Sequence, residues 1–384
     1  MTSPRSVRPP SIPADSAVLA VPPWPVFRLG TAINDLFSWL AIATSLPEIR
    51  AMQLANVHLE SLVTYAVVEH GIVEALVEGP RKCEAVASER GLVPGFCCRF
   101  MRAAAGLGIL AALNDGTYAL TPVGRALAGE LQDFVRASQQ KSNRDALAAA
   151  ATTSIATGRS GYVEGVGKEF WDWHDTHPEE AKAFDSMMRQ VTVPQVAALV
   201  ASLELRGNET LCDVGGGDGT LLATFKAHWP STTPVLFDLP GPVEAAHQRF
   251  AAMGERLDAR PASFFDPLPI PDGHCDVLFL KSVLHDWEDQ DALRILKNVK
   301  PKLAPESSSS RLVVYEAVLS AHPPSSGLEK SKLMLDITML AINHPGARER
   351  TFDEYRDLLK AAGFTAQPTL LNTRSISSAI LVPP

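Results

Sequence analysis

Apolar residues in the first half of the chain recur at the spacing of helices. Over residues 54–77 they fall three and four positions apart, which places one apolar stripe along a helix. Two further helical stretches follow, and Asn114-Asp115-Gly116 then forms a turn signal with apolar residues on both sides. Helices followed by such a small hairpin are typical of a winged helix. The pattern is helical again from 150 to 205.

Beyond about residue 208 the pattern changes to short apolar strands that alternate with helices. The predicted strands are TLCDV, PVLFDL, CDVLFL and RLVVYEAVL, and two β-rich runs, TAQPTLLN and ISSAILV, follow near the end of the sequence. The alternation predicts a doubly wound α/β sheet with a parallel core and a ligand site at the carboxyl ends of its strands. The two last runs predict an antiparallel hairpin.

These patterns divide the chain into four segments. We predict a Pro- and Ser-rich arm that is either disordered or a transit segment, then a helical winged-helix domain, a helical connector and an α/β domain. Their predicted bounds are 1–27, 28–150, 151–207 and 208–384. The connector is rich in aromatic residues and is expected to contribute to an acceptor pocket.

Composition and charge exclude several classes of protein. Of the 384 residues 46% are hydrophobic and 20% charged, a balance typical of globular proteins and not of disordered or fibrous ones. The formal net charge is −8, and the would-be recognition helix near 94–107 has only Arg99 and Arg102 as cations. Nucleic acid is therefore not an expected partner, and the winged helix is expected to pack on another subunit. The apolar runs are broken well short of the ~20 residues of a membrane span, so no membrane partner is expected.

The cysteines indicate a reducing compartment. There are five, an odd number that includes the vicinal pair Cys97-Cys98, so no disulfide framework is expected. No Cys/His spacing typical of zinc occurs, and we predict no metal. The expected location is the cytoplasm, unless the first 27 residues direct the chain to an organelle.

A glycine-rich turn marks the candidate nucleotide site. The strand TLCDV runs into Gly215-Gly216-Gly217-Asp218-Gly219, and a helix starts directly afterwards. The next strand ends in Asp238, where an acid can accept hydrogen bonds from ribose hydroxyls. The third glycine comes one residue early for the dinucleotide fingerprint, and no Gly-Lys-Ser/Thr follows as in a P-loop. Asp213 within the strand favours a cationic ligand, S-adenosylmethionine (SAM).

Six ordered motifs resemble those of the caffeate- and acetylserotonin-type O-methyltransferase family. They are DVGGGDG, FDLP, FFDPLP, LKSVLHDWED, VVYEAVL and ARERTFDEY, and the resemblance covers roughly residues 50 to 384. It implies a Rossmann-like SAM methyltransferase fold whose sheet is mostly parallel, preceded by an all-helical winged-helix dimerisation domain. It also implies a homodimer, SAM as the cofactor and a small-molecule acceptor.

The resemblance further implies a catalytic set. His285 in LHDWED is expected to act as the general base, since an imidazole with an ordinary pKa near ~6.5 can take the proton of a hydroxyl at neutral pH. Glu316 and Glu349 are expected to orient the imidazole and stabilise its cation. Asp286 is expected to help position the acceptor.

The cofactor residues expected from the motifs and the resemblance form a larger set. They are Asp213, Gly215, Gly217, Asp238, Leu239, Ser263, Phe264, Phe265 and Lys281. Ala262-Ser263 stands where the family usually has Gly-Asp, so the expected contact at Ser263 carries no charge.

The expected acceptor pocket departs further from the plant pattern. Its predicted residues are Trp171, Trp173, Phe184, Met188, Ser282 and His344. Glu180, Ser282 and His344 stand where plant relatives have Phe, Trp and Asn, so the pocket is predicted to be more polar. A standard lignin-type phenol is therefore not the expected acceptor.

Three activities stay open on the sequence. The retained His285, Glu316 and Glu349 favour methylation of a hydroxyl. Methylation of sulfur in a small methylthio-hydroxy acid, as in dimethylsulfoniopropionate synthesis, needs no base and suits a polar pocket. A SAM-binding cyclase would use the same site for ring closure without methyl transfer.

Overall fold

The computed structural model describes residues 22–129, 131–304, 310–321, 326–342 and 346–384. Residues 1–21 of the predicted arm and the predicted acceptor residue His344 lie outside the described residues. Residues 24–27, which the sequence placed in the arm, already belong to the first helix.

The first half of the described chain is helical, with one small hairpin. Its helices are α1 (Trp24–Thr44), α2 (Pro47–Glu69), α3 (Cys83–Glu89), α4 (Pro94–Gly106), α5 (Pro122–Ala128), α6 (Gln132–Ser138) and α7 (Lys141–Ala149). Strands β1 (Leu110–Ala112) and β2 (Tyr118–Leu120) pair antiparallel between α4 and α5, which confirms the predicted hairpin. Asp115 accepts hydrogen bonds from the backbone and hydroxyl of Thr117 and so closes the turn.

Helices α1 and α2 carry many large apolar side chains that no other described residue covers. Leu36, Phe37 and Trp39 of α1 and Leu54 and Val57 of α2 are each more than half exposed. A contiguous apolar surface of this kind marks an interaction site. In the part of the chain that the structure describes, no helix is both long and apolar enough to cross a membrane.

A second group of helices connects the two halves. They are α8 (Ile155–Thr157), α9 (Gly161–Gly165), α10 (Phe170–Thr176) and α11 (Pro178–Val200). Gly161 lets α9 lie directly on its neighbours, because a Cβ there would stand 2.2 Å from the carbonyl oxygen of Ala146 and 2.7 Å from that of Ala341. Helix α9 is thus packed against α7 and against Ala341 of the α/β half.

The second half is a seven-stranded sheet with helices on both faces. Its strands are β3 (Thr210–Val214), β4 (Thr233–Asp238), β5 (Asp258–Pro261), β6 (Val277–Lys281), β7 (Arg311–Glu316), β8 (Thr369–Asn372) and β9 (Ser378–Val382). The spatial order is β5-β4-β3-β6-β7-β9-β8, and β9 runs antiparallel to both of its neighbours. The predicted mostly parallel sheet with a final hairpin is confirmed. The sequence did not reveal β5, whose residues DARP include two charged side chains and end in the proline of an edge strand.

The helices of this half are α12 (Thr220–His228), α13 (Pro240–Ala252), α14 (Asp289–Val299), α15 (Gly327–Ile342) and α16 (Phe352–Ala361). Successive residues of β6 point to opposite faces of the sheet. Leu278 and Leu280 pack in the core shared with α14 and α16, while Phe279 packs in the core shared with α12 and α13. Burial on both faces explains why the strands are almost continuously apolar.

The expectation that the cysteines form no disulfide framework is wrong. Cys83 is bonded to Cys98, Cys212 is bonded to Cys275, and Cys97 stays unpaired and buried. The spacing of these residues along the chain hides how close they lie in the fold, since their Cα atoms are 5.1 and 5.8 Å apart. The first bond joins α3 to α4, and the second joins β3 to the segment before β6.

Candidate active site

The four predicted catalytic residues meet around one imidazole. His285 lies on a 3₁₀ turn, Leu284–Asp286, that follows β6. Its Nδ1 is 2.7 Å from Oε1 of Glu349 and 3.5 Å from Oε2 of Glu316. Its Nε2 is 3.4 Å from Oδ1 of Asp286.

Glu316 connects the end of β7 to this turn. Its Oε1 accepts hydrogen bonds from the backbone N–H groups of Val283 and Leu284, each 3.0 Å long. Its Oε2 has no hydrogen-bond donor among the described residues and faces the imidazole. One carboxylate therefore holds the backbone of the turn and also places negative charge beside the ring.

Glu349 reaches the ring from the segment between α15 and α16. Its backbone N–H donates to Oδ1 of Asp336 on α15 at 2.8 Å. The neighbouring N–H of Arg348 donates to the carbonyl oxygen of His285 at 2.9 Å. The segment is thus fixed both to α15 and to the 3₁₀ turn Leu284–Asp286, which we call the catalytic turn because it carries the predicted base.

The carboxylates change the proton affinity of the imidazole. Burial by itself would lower the pKa of His285, but the charges of Glu316, Glu349 and Asp286 outweigh it and raise the pKa to about 10. Burial also raises the pKa of Glu316 to about 7, against the opposing effect of His285. The expectation of an ordinary imidazole pKa is therefore wrong, because the sequence does not show three acids around one ring.

The donor atoms of His285, Glu316 and Glu349 lie within 4.8 Å of one another, so the set could also hold a metal ion. The 2.7 Å separation of Nδ1 and Oε1 is that of a charge-assisted hydrogen bond. We therefore interpret the set as one that holds a proton.

The expected cofactor residues meet at the carboxyl edge of β3 and β4. Gly215 and Gly217 have positive φ angles of 72° and 57°, which side chains rarely adopt. A Cβ on Gly215 would stand 2.8 Å from Cγ2 of Val283, on the segment that carries the catalytic turn. Asp238 accepts from the N–H groups of Gly217 and Leu239, both at 2.7 Å. The glycine turn is therefore fixed by the acid at the tip of the next strand.

Asp213 gives the strongest indication that a cationic ligand fits here. It is 1% exposed, and its Oδ1 has no hydrogen-bond donor among the described residues. Burial raises its pKa to about 7, although the charge of Lys281 acts in the opposite direction. A buried carboxylate oxygen without a donor is costly, and a ligand ammonium group would satisfy it.

Lys281 lies between the cofactor edge and the catalytic set. It ends β6, which pairs with β3 on one side and with β7 on the other. Burial lowers its pKa, while Glu316 and Asp213 raise it. Its Nζ donates to the hydroxyl of Ser282 at 3.3 Å.

The residues after β5 form an aromatic group beside the glycine turn. The ring of Phe264 lies 3.7 Å from the position that a Cβ on Gly215 would take. The ring of Phe265 is perpendicular to that of Trp287 at 4.6 Å, and its N–H donates to Oγ of Ser263 at 3.2 Å. Phe264 thus faces the expected cofactor site, whereas Phe265 is packed against the protein.

The expected acceptor residues lie on α10 and α11. The ring centroids of Trp171 and Phe184 are 6.0 Å apart, and Phe170 lies 5.0 Å from Phe184. His174 packs against both phenylalanines, at 4.2 and 5.5 Å. We call Phe170, Trp171, His174 and Phe184 the aromatic cluster. Sequence analysis identified only Trp171 and Phe184 of it, because apolar spacing alone does not separate a pocket from a core.

The other expected acceptor residues have different surroundings. Trp173 stacks on His177, and its indole N–H donates to Glu180 at 2.9 Å, so it joins α10 to α11. Met188 lies on α11 one turn beyond Phe184. Ser282 follows β6 with a φ of 52°, a conformation uncommon for residues other than glycine.

Two connections link the aromatic cluster to the rest of the site. Ile342, at the end of α15, packs on the core beneath the cluster, and Asp336 on the same helix holds Glu349. Arg189, next to Met188, donates to Asp218 of the glycine turn at 2.8 Å. Sequence analysis did not assign Asp336 or Arg189 to these contacts, and no motif signals them.

The glycine turn after β3, the acid at the end of β4 and the mostly parallel sheet together define a SAM-dependent methyltransferase fold. The chain belongs to the O-methyltransferase family, since the model of its O-methyltransferase domain matches residues 148–365. The family's dimerisation domain matches residues 52–130, which include most of α2, and supports a homodimer. The resemblance inferred from the motifs is confirmed. The enzyme uses SAM to methylate small-molecule substrates.

Named relatives agree with this assignment. The chain is 27% identical to a phenazine O-methyltransferase of Lysobacter antibioticus over 339 residues, 85% of this chain and 96% of that protein. It is 33% identical to an O-demethylpuromycin-O-methyltransferase of Streptomyces alboniger over 285 residues, 69% of this chain and 70% of that protein. The solved structure of a mitomycin 7-O-methyltransferase matches with a TM-score of 0.76 and 26% identity, covering 90% of this chain and 99% of that one.

Proposed function

We propose that the chain transfers the methyl group of SAM to a hydroxyl oxygen of a small acceptor, with His285 as the general base. The observation that carries this proposal is the 2.7 Å contact between Nδ1 of His285 and Glu349. A neutral imidazole that donates through Nδ1 presents the lone pair of Nε2, which can take a hydroxyl proton. Glu316 and Glu349 then stabilise the imidazolium that forms, and Asp286 lies beside Nε2 to orient the acceptor.

The residues at the carboxyl edge of the sheet fit SAM. When bound, SAM supplies an electrophilic methyl group on a cationic sulfur. Asp213 would pair with its ammonium group, and Asp238 would accept hydrogen bonds from ribose hydroxyls while it holds Gly217. Leu239, 59% exposed beside Asp238, and the ring of Phe264 would contact the adenosine.

The aromatic cluster suits a small, flat acceptor. Trp171 is 46% exposed at its edge, and Phe184 packs against it. The cluster is connected to Glu349 through α15, so an acceptor held there would be positioned relative to the base. The polar Ser282, beside Lys281, favours an acceptor with a polar group besides its hydroxyl.

A labelled cofactor tests the proposal directly. The protein is incubated with SAM that carries a deuterated methyl group, together with 3-amino-4-hydroxybenzoate, caffeate and a small-molecule extract of the producing organism. We expect mass spectrometry to find the label on a hydroxyl oxygen, with caffeate a poor acceptor. Label on sulfur or nitrogen only, or a new unlabelled product, would contradict the proposal.

The pH dependence of methyl transfer should follow the raised pKa of His285. The base acts only when neutral, and a pKa of about 10 leaves it mostly protonated at pH 7. The rate constant for transfer should therefore rise by up to about tenfold per pH unit from pH 7 towards that pKa. This rise is measured by single-turnover kinetics at pH 6 to 9.5. The acceptor is a compound of the panel that the wild-type protein methylates.

Glu349→Gln is the matched variant for this pH profile. The change removes one of the charges that raise the pKa of His285, so the rise should move to lower pH while the maximal rate falls. A wild-type rate that stays flat over the same range would argue against His285 as the base.

A further inference from the structure

Arg350 is fully buried beside the catalytic turn, and sequence analysis gave it no role. Its Nη1 donates to the carbonyl oxygen of Leu284, and its Nη2 donates to that of Trp287, each at 2.7 Å. Its Nε and Nη2 also donate to Oδ1 of Asp289, at 3.1 and 2.8 Å. The two carbonyl groups stand on either side of His285 and Asp286 in the chain.

The shape of the guanidinium group matters for this arrangement. It is planar and presents its donors at fixed angles, so one side chain sets the separation of the two carbonyl groups. A lysine ammonium could neutralise Asp289 but has no comparable fork. The contacts therefore fix a backbone conformation as well as balancing a charge.

Residues 349 and 350 hold the turn from two sides. Glu349 contacts the imidazole of His285, and Arg350 holds the backbone before and after it. Because they are adjacent, one short segment sets both the ring and the turn that carries it.

We propose that Arg350 is a positioning residue that keeps the imidazole of His285 in contact with Glu349 and Glu316 by fixing the backbone of residues 284–287. This inference rests on the proposed role of His285 as the base. Without the guanidinium fork the turn relaxes, the ring loses its carboxylate contacts, and proton removal slows. A displacement of about 1 Å at a reacting group costs about 10²-fold in rate.

A double-mutant cycle with His285→Ala tests the proposal. Arg350→Met, Arg350→Lys, His285→Ala and the two double variants are compared by single-turnover methyl transfer to 3-amino-4-hydroxybenzoate and by calorimetry of SAM binding. Arg350→Met should lower the transfer rate roughly 10–100-fold with SAM affinity unchanged. In the His285→Ala background the same change should lower the transfer rate by no more than about twofold, because the residue that Arg350 positions is gone.

Arg350→Lys separates the shape of the guanidinium group from its charge, and a nearby arginine provides the control. Arg350→Lys keeps the charge, so full activity in it would overturn the proposal. Arg356→Met removes an arginine of α16 that is 41% exposed and pairs with Asp353 and Asp357, and it should behave as wild type. Equal rate losses from Arg350→Met with and without His285 would also overturn the proposal, since they would indicate a general structural effect.

An NMR titration gives a readout that needs no acceptor. Histidine labelled with ¹³C in the ring is titrated in wild type, Arg350→Lys and Arg350→Met, with the His285 signal identified by its loss in His285→Ala. Release of the ring from its carboxylates should lower the pKa of His285, whereas simple loss of a nearby positive charge would raise it.

This titration also decides the matter if Arg350→Met fails to fold or if 3-amino-4-hydroxybenzoate is not methylated. An unchanged His285 titration in a folded Arg350→Lys protein would overturn the proposal. If His285→Ala alone leaves transfer intact, it is the proposed base role that fails, and the titration still shows whether Arg350 positions the ring.

Discussion

Replacing His285 with alanine should lower the rate of methyl transfer to a hydroxyl by about 10²–10⁴-fold, the usual contribution of a general base. The imidazole contacts Glu349 at 2.7 Å and Glu316 at 3.5 Å, and its loss removes the group that would take the hydroxyl proton. The affinity for SAM should change little, because the residues that fit SAM lie on β3, β4 and the segment after β5. Single-turnover transfer and calorimetric titration with SAM measure the two quantities separately.

The matched control for this prediction is His274→Ala. His274 is exposed and precedes β6 at the amino edge of the sheet, whereas His285 follows the carboxyl end of the same strand. The control should keep wild-type transfer. Unchanged turnover in His285→Ala would rule out the base role, and methyl transfer to sulfur would then become the favoured activity.

The parts of the fold that sequence predicts best are those with local chemical causes. Gly215 and Gly217 need positive φ angles where the chain turns from β3 into α12, and that requirement is visible as a glycine run. Strands β3 and β4, which come before and after α12, are buried on both faces and therefore appear in the sequence as short apolar runs. The order of these signals along the chain was enough to predict the sheet and its ligand edge.

The motifs also brought out the proposed catalytic residues, but not their electrostatics. His285, Glu316 and Glu349 come from three segments, and only the folded sheet shows that they surround one ring. The raised pKa of His285 follows from that proximity, which no single motif contains. The disulfides went unpredicted for the same reason, since Cys212 and Cys275 are separated by 63 residues.

Supporting contacts were the least predictable part of the site. Arg350 and Asp336 act through backbone groups, and backbone groups have no sequence signature. His174 is part of the aromatic cluster, yet its spacing on α10 is that of an ordinary buried residue. Motifs thus identify side chains that define the chemistry, while the residues that orient them require the three-dimensional arrangement.

The adjacent strands β3, β6 and β7 connect the cofactor and catalytic halves of the site electrostatically. Asp213, Lys281 and Glu316 lie at the carboxyl ends of these strands, and Lys281 interacts electrostatically with both acids. Lys281 is the cation between two buried acids, so its charge lowers the free-energy cost of keeping both carboxylates ionised. A cationic ligand at Asp213 would add to this balance, and binding of SAM should therefore favour the ionised form of Asp213.

Replacing Asp238 with alanine should weaken SAM binding by about 10–100-fold. Hydrogen bonds to a charged group are worth roughly 1.5–3 kcal/mol, and each 1.4 kcal/mol corresponds to about tenfold in affinity. The carboxylate would accept from ribose hydroxyls, and it also holds the N–H groups of Gly217 and Leu239 at 2.7 Å, so its loss also frees the glycine turn. Calorimetric titration with SAM measures the change.

The folded state itself should tolerate the loss of Asp238. Burial raises the pKa of Asp238, so the cost of burying its charge offsets part of the stabilisation from the two hydrogen bonds that the variant loses. Its removal should therefore leave the thermal unfolding midpoint close to that of wild type without SAM, but should reduce the increase that SAM produces. Asp258→Ala is the matched control, because Asp258 begins β5 at the opposite edge and pairs with Arg260 alone among the described residues. Equal SAM affinity in wild type and Asp238→Ala would remove the ribose contact from the proposed site, while a fall in both variants would indicate a general effect of lost negative charge.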